Sequence, residues 1–111
     1  DSSIQYTTTG TQGSQIFVVQ WQKVKHIYDM YNESSTGQRL NYQVKFYESS
    51  NIIEFIYGPT IGTTSMTNYK GAIYIKSKTA IMDGKTGSTS TIGSYNASDF
   101  PASGTVYRFT P

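Results

Sequence analysis

The stretch LNYQVKFYESSNIIEFIYG, residues 40–58, decides the fold of this chain. Two runs of alternating apolar residues flank a polar Glu48-Ser49-Ser50-Asn51 segment. Alternation at period two is the signature of a strand with one buried face, so the stretch reads as a β-hairpin. Its register follows from burial. A loop of even length, with Ser49-Ser50 or Glu48 to Asn51 at the tip, sets Tyr47 opposite Ile52. It then pairs Phe46 with Ile53, Val44 with Phe55 and Tyr42 with Tyr57 on one side, and Lys45 with Glu54 on the other. A three-residue loop would set Phe46 opposite Glu54 and mix the faces, so the even loop is favoured. Asn51 is a residue that tolerates the left-handed conformation such a tip requires.

The rest of the chain repeats this pattern. Residues 3–9 alternate around Ile4 and Tyr6, and residues 10–14 form a turn. Residues 15–24 make the strongest strand, with Phe17, Val19 and Trp21 on one face and a bulge expected near Lys25. Residues 32–38 form a loop. Gly58-Pro59 ends the second hairpin strand, and residues 60–70 form a loop. Residues 71–77 form another strand, and the Asp83-Gly84 turn admits a short strand on either side. Residues 93–104 read as irregular, pinned by Phe100-Pro101, and residues 105–110 form the last strand. Strands joined by turns, with Ala and Leu too scarce for helices, predict an all-β fold. The expected architecture is an antiparallel, jelly-roll-like β-sandwich of about 7–8 strands. Its predicted core is Phe17, Val19, Trp21, Val44, Phe46, Phe55, Ile73 and Ile75.

Length and composition narrow the function. The chain has 111 residues, which suits one domain over residues 1–111. Net charge is +2 and the Lys and Arg residues are scattered, so neither nucleic acid nor a membrane surface is an expected partner. No apolar run approaches a spanning helix, so membrane insertion is not expected. There are no cysteines, which excludes disulfides, thiol catalysis and Cys-based zinc sites. Abundant Ser, Thr and Tyr without cysteine suit a bacterial exported domain.

No constellation carries catalysis. A glycosidase needs two facing carboxylates, and only Glu54 lies inside a clear strand, already opposite Lys45. His26 is the only histidine, and no Gly-x-Ser-x-Gly elbow accompanies it. The run GKTGST, residues 84–89, lacks the glycine spacing and helix context of a phosphate loop. Asp83 and Asp99 are isolated, so no catalytic, cofactor or metal residue is assigned; a calcium site built from backbone carbonyls stays open. The ten tyrosines are the remaining question. Tyr28, Tyr31, Tyr47, Tyr69 and Tyr74 are candidates for outward positions, where rings stack on sugars or fill protein contacts.

Several runs resemble a β-sandwich module of large secreted and cell-surface proteins of Bacteroidota-type bacteria. The carrying residues are Phe17, Val19, Gln20, Trp21 and Val24; then Tyr42, Gln43, Val44, Phe46, Tyr47 and Glu48; then Ile53, Glu54, Phe55, Tyr57 and Gly58. The closing FPASGTVYRFTP, residues 100–111, is similar to that module's end. The resemblance implies an extracellular, non-catalytic sandwich within long chains and no particular ligand. The module's usual earlier strands, with an Asn-Gly turn and an acidic Trp-Asp-Asp run, have no counterpart here. The expectation is therefore a fragment or processed part of a larger module, with an open sheet edge that a neighbouring chain covers.

The leading expectation is thus a structural or adhesive module of a bacterial surface or secreted protein, such as a filament subunit. Its expected partners are other copies or other domains of the same extracellular protein. The alternative is a carbohydrate-binding accessory module of a secreted hydrolase, with glycans as partners. The expected contact face is the hairpin's outer side: Gln43, Lys45, Tyr47, Ile52, Glu54 and Ile56. Two isoleucines there are more apolar than a freely solvated sheet needs, which points to a cover.

Overall fold

The computed structural model describes residues 1–25, 37–63, 70–76, 81–83, 93–96 and 100–111. The strands are β1 (Ser3–Thr9), β2 (Ile16–Lys25), β3 (Arg39–Tyr47), β4 (Ile53–Tyr57), β5 (Lys70–Lys76), β6 (Ile81–Asp83), β7 (Gly93–Asn96) and β8 (Val106–Phe109). One antiparallel sheet has the order β1-β2-β3-β4-β8, and a smaller one has the order β6-β5-β7. No helix occurs among the described residues.

The β3–β4 hairpin has the register expected from burial. Tyr42 pairs with Tyr57, Val44 with Phe55, Lys45 with Glu54 and Phe46 with Ile53. The tip is Glu48 to Asn51. It is closed by Tyr47 N–H donating to the Ile52 carbonyl at 3.0 Å and Asn51 N–H donating to the Tyr47 carbonyl at 2.9 Å. Asn51 sits at φ 53°, the left-handed region that asparagine tolerates better than most residues.

The bulge in β2 falls between Trp21 and Val24, slightly before the expected Lys25. Three steps along β2 there match two along β3, from Tyr42 to Leu40. The extra residue returns Val24 to the face that carries Trp21, opposite Leu40. Lys23 takes a φ of 51°, and its N–H donates to Asn41 Oδ1 at 3.0 Å. Asn41 Nδ2 donates in turn to the Pro59 carbonyl at 2.7 Å, and its own carbonyl accepts the Gly58 N–H at 2.8 Å. A Cβ on Gly58 would lie 3.2 Å from Asn41 Cβ, so a glycine suits this close approach.

The core is centred elsewhere than predicted. Leu40, Tyr57 and Phe109 are buried, and Tyr42, Ile53, Phe55, Ile75, Phe100 and Tyr107 pack around the Tyr57–Phe109 pair. Phe55 and Phe109 meet edge-to-face at 5.3 Å, and Tyr57 meets Phe100 at 5.1 Å and Tyr107 at 5.9 Å in the same manner. Such edge-to-face contacts place ring edges against the negative faces of their neighbours. Phe17 and Phe46 are corrections: they are 39% and 41% exposed. Val19, Trp21, Val44 and Phe55 are half-buried, as is Ile75; the side chain of Ile73 lies outside the described residues. The reason is positional. Ile75 and Phe100 pack over the β4–β8 side of the large sheet, whereas Phe17 and Phe46 lie towards β1 and the hairpin tip.

One segment read as irregular is partly a strand. Residues 93–96 form β7, pairing with Lys70 to Ile73 of β5. Gly, Ser and Asn have little intrinsic strand preference, so this strand depends on its partner rather than on its own pattern. The expected Phe100-Pro101 pin is present as the Phe100 ring against Tyr57.

Candidate contact face

The two faces of the large sheet differ in chemistry, because alternation sorts its residues. One face carries aromatic rows. Tyr6, Phe17 and Phe46 follow one another at 6.1 Å centroid spacings, and Trp21 stacks on Tyr42 at 4.9 Å. The other face carries the residues expected to make contacts. Gln43 lies opposite Ile56, and Lys45 opposite Glu54. Tyr47 faces Ile52 at the tip. β2 adds Ile16, Val18 and Gln20 beside Tyr47, Lys45 and Gln43, and β8 adds Arg108 and Val106 beside Glu54 and Ile56.

Glu54 is the centre of this face, with its side chain only 5% exposed. Tyr47 donates its hydroxyl to Glu54 Oε2 at 2.7 Å. Arg108 donates Nε–H to Glu54 Oε1 at 2.7 Å, and its terminal nitrogen lies 2.6 Å from the same oxygen. The sequence places Lys45 as the ion-pair partner, whereas the structure gives that place to Arg108. β8 brings the guanidinium in from the opposite side, and its fork can direct two N–H groups at one carboxylate. Burial of Glu54 favours the neutral acid. The hydrogen bonds from Tyr47 and Arg108, with the charges of Arg108 and Lys45, outweigh it and hold the carboxyl below its usual range. The Tyr47 phenol is raised, first by donating to Glu54, then by burial and the carboxylate charge. The Tyr42 phenol, on the aromatic face, is raised by burial.

Two further polar ties were not anticipated. Gln43 Nε2 donates to Gln20 Oε1 at 2.9 Å across β2 and β3. Glu48 Oε2 accepts the backbone N–H groups of both Gly13 and Gln15 at 2.9 Å, joining the β1–β2 turn to the β3–β4 tip. The alternation of Tyr107, Arg108 and Phe109 was a signal for Arg108, since it puts the arginine opposite the apolar face. Nothing local signals the Glu48 tie, because its partners lie more than thirty residues away.

Ile52 and Ile56 are half-buried, so among the described residues the large apolar ones that stand exposed are others: Ile4, Tyr6, Phe17, Phe46, Ile61 and Val106. A cleft of about 630 Å³ opens at the tip end, lined by Phe17, Phe46, Tyr47, Ile52 and Ile53 among others. A second, of about 340 Å³, includes the amides Gln20, Gln22, Asn41 and Gln43 with Trp21 and Tyr42 in its lining. His26, Tyr28, Tyr31, Tyr69, Asp99 and the 84–89 run lie outside the described residues, as does the side chain of Tyr74. No candidate membrane-crossing helix occurs among the described residues.

Comparison with known proteins gives a family. The model of the NIDO-related family matches residues 1–111. No curated protein and no solved structure matches the chain.

Proposed function

Because the chain belongs to the NIDO-related family across residues 1–111, we propose that it is a non-catalytic extracellular module that works through surface contacts. In this reading the two sheets form a β-sandwich, as the packing of Ile75 of β5 against the Tyr57–Phe109 pair suggests. The module belongs to a bacterial surface or secreted protein and assembles with other copies or neighbouring domains. The face around Gln43, Lys45, Tyr47, Ile52, Glu54 and Ile56 presents a rigid polar surface to them.

The observation that carries this reading is the engagement of the hairpin's carboxylates. Both oxygens of Glu54 are held by Tyr47 and Arg108, and Glu48 Oε2 holds two backbone N–H groups. Carboxylates committed in this way organise the surface, whereas a general acid or base needs access to its substrate's proton. A carbohydrate-binding module is the second reading, favoured by the cleft that the amides Gln20, Gln22, Asn41 and Gln43 line. Uncharged amides offer both donors and acceptors, which is chemistry that suits the hydroxyls of neutral sugars.

The test joins two measurements. Antibody labelling of intact source cells, or of their medium, should find the protein outside the membrane. A glycan array should remain blank. Array signal that falls with Gln43→Ala would replace the assembling reading by the sugar-binding one.

A further inference from the structure

We infer that β1 is a self-recognition edge, where a second copy of this chain adds its own β1 across a two-fold axis. The inference rests on the assembling reading above and adds to its contact face a sheet edge that joins two copies.

Proteins blunt sheet edges with charges, proline, bulges or short strands. The opposite edge of the large sheet, β8, carries such devices: it has four residues and one of them is Arg108. β1 carries none of them. It has seven residues, SIQYTTT, with no charge and no proline, and it pairs with β2 in unbroken register. Six of its seven residues are exposed, including Ile4 at 64% and Tyr6 at 78%. Its Ile, Tyr and Thr residues favour the extended chain. Among the described residues nothing pairs with its outer side.

The sequence of β1 also fits itself. Full antiparallel overlap of residues 3–9 with a second copy centres the axis on Tyr6. Tyr6 then meets Tyr6 of the second copy, Ile4 meets Thr8, and Gln5 meets Thr7. No pair sets like charges against each other, and the Gln5 amide faces a hydroxyl. The axis stands perpendicular to the sheet, so both aromatic faces lie on one side. The Phe46, Phe17, Tyr6 row of one copy therefore runs on into the same row of the other. A two-fold pairing occupies the same edge in both copies, so it closes as a dimer. Seven residues of edge make a small interface, so the association is of the weak class.

Sedimentation of the 111-residue chain from micromolar to millimolar concentration should show monomer passing to dimer. Tyr6→Lys and Tyr6→Glu should each remain monomeric, because each sets like charges on the axis, and a mixture of the two should form a heterodimer. Tyr6 is largely exposed, so both variants should keep the wild-type circular dichroism. Independently, the chain has no cysteine. Tyr6→Cys should therefore oxidise to a covalent dimer, while Ser49→Cys at the exposed hairpin tip should not. A wild-type chain that stays monomeric throughout overturns the proposal and leaves the edge to a strand of another protein. A dimer that Tyr6→Lys does not disrupt overturns it too, while assembly through another surface survives. So does oxidation of Tyr6→Cys no faster than that of Ser49→Cys.

Discussion

Tyr47 donates its phenolic O–H to Glu54 Oε2 at 2.7 Å, diagonally across the β3–β4 hairpin. The bond lies on the face opposite the aromatic rows and helps to keep a buried carboxylate charged. Tyr47→Phe should lower stability by about 1–3 kcal/mol, the range for a buried charged group losing a donor. Arg108→Ala should cost less than a fully buried pair would, because the guanidinium is 61% exposed and water replaces part of its interaction. Urea denaturation of the two single variants and the double variant measures both effects. Strict additivity would mean that the donors act independently on Glu54.

The same carboxylate predicts an acid limb. Its folded pKa is lowered, so its contribution is complete above the ordinary carboxylate range and is lost as pH falls through the lowered value. The difference in stability between wild type and Glu54→Gln should therefore shrink as pH falls from neutral into that range. For Tyr47 the sign reverses. Its folded pKa is raised, so its contribution is present below the usual phenol pKa and is lost as pH rises through the raised value. Tyr42 adds to the alkaline loss in the same direction. A Glu54→Gln difference that stays constant from neutral to acid pH would contradict the network.

Glu48 ties two turns together through Gly13 and Gln15. Glu48→Ala should cost about 1–2 kcal/mol, as expected for a charge-assisted acceptor of two N–H groups on a partly wet surface. Hydrogen exchange should speed up at the amides of Gly13 and Gln15 before it changes at β4. Protection unchanged at those two amides would rule out the tie.

Asn51 supplies a left-handed residue at the hairpin tip, at φ 53°. Asn51→Gly should be nearly neutral, whereas Asn51→Val should cost about 1–2 kcal/mol, because a branched Cβ crowds the backbone in this conformation and valine lacks the polar group that lets asparagine adopt it. Thermal unfolding of the pair reads the difference. Equal losses would mean that the side chain, rather than the backbone, matters at this position.

Asn41 holds the β2 bulge through Lys23 N–H and the Pro59 carbonyl. Asn41→Ala should destabilise by about 1–2 kcal/mol, the effect of two lost side-chain hydrogen bonds at an exposed site. Trp21 fluorescence should shift as well, because the bulge sets the relation of Trp21 to Tyr42. An unchanged spectrum would place the control of that stack elsewhere.

The pairings from Tyr42–Tyr57 to Phe46–Ile53 were readable, because a slip by one residue would invert every side chain. Asn51 at the tip was readable for its conformational tolerance. Ion pairing of Glu54 was half readable: Lys45 is its neighbour in the hairpin, but Arg108 comes from a strand far along the chain. The core of Phe17 and Phe46 was misplaced for a similar reason. Alternation says which face a residue shares, and it does not say how far along that face the cover extends. β7 was missed because Gly, Ser, Tyr and Asn form a strand there only with β5 as a partner.

By itself, then, the sequence determined the local terms: the all-β class, the hairpin register and the division of residues between two faces. These depend on period-two burial and turn chemistry, which act between near neighbours. Only the tertiary structure decided that Arg108 meets Glu54, that Tyr57 and Phe109 form the buried centre, and that β1 is the outer strand of the large sheet among the described residues. Those depend on contacts between distant segments, which pairing and packing select among many arrangements that local preference leaves equivalent.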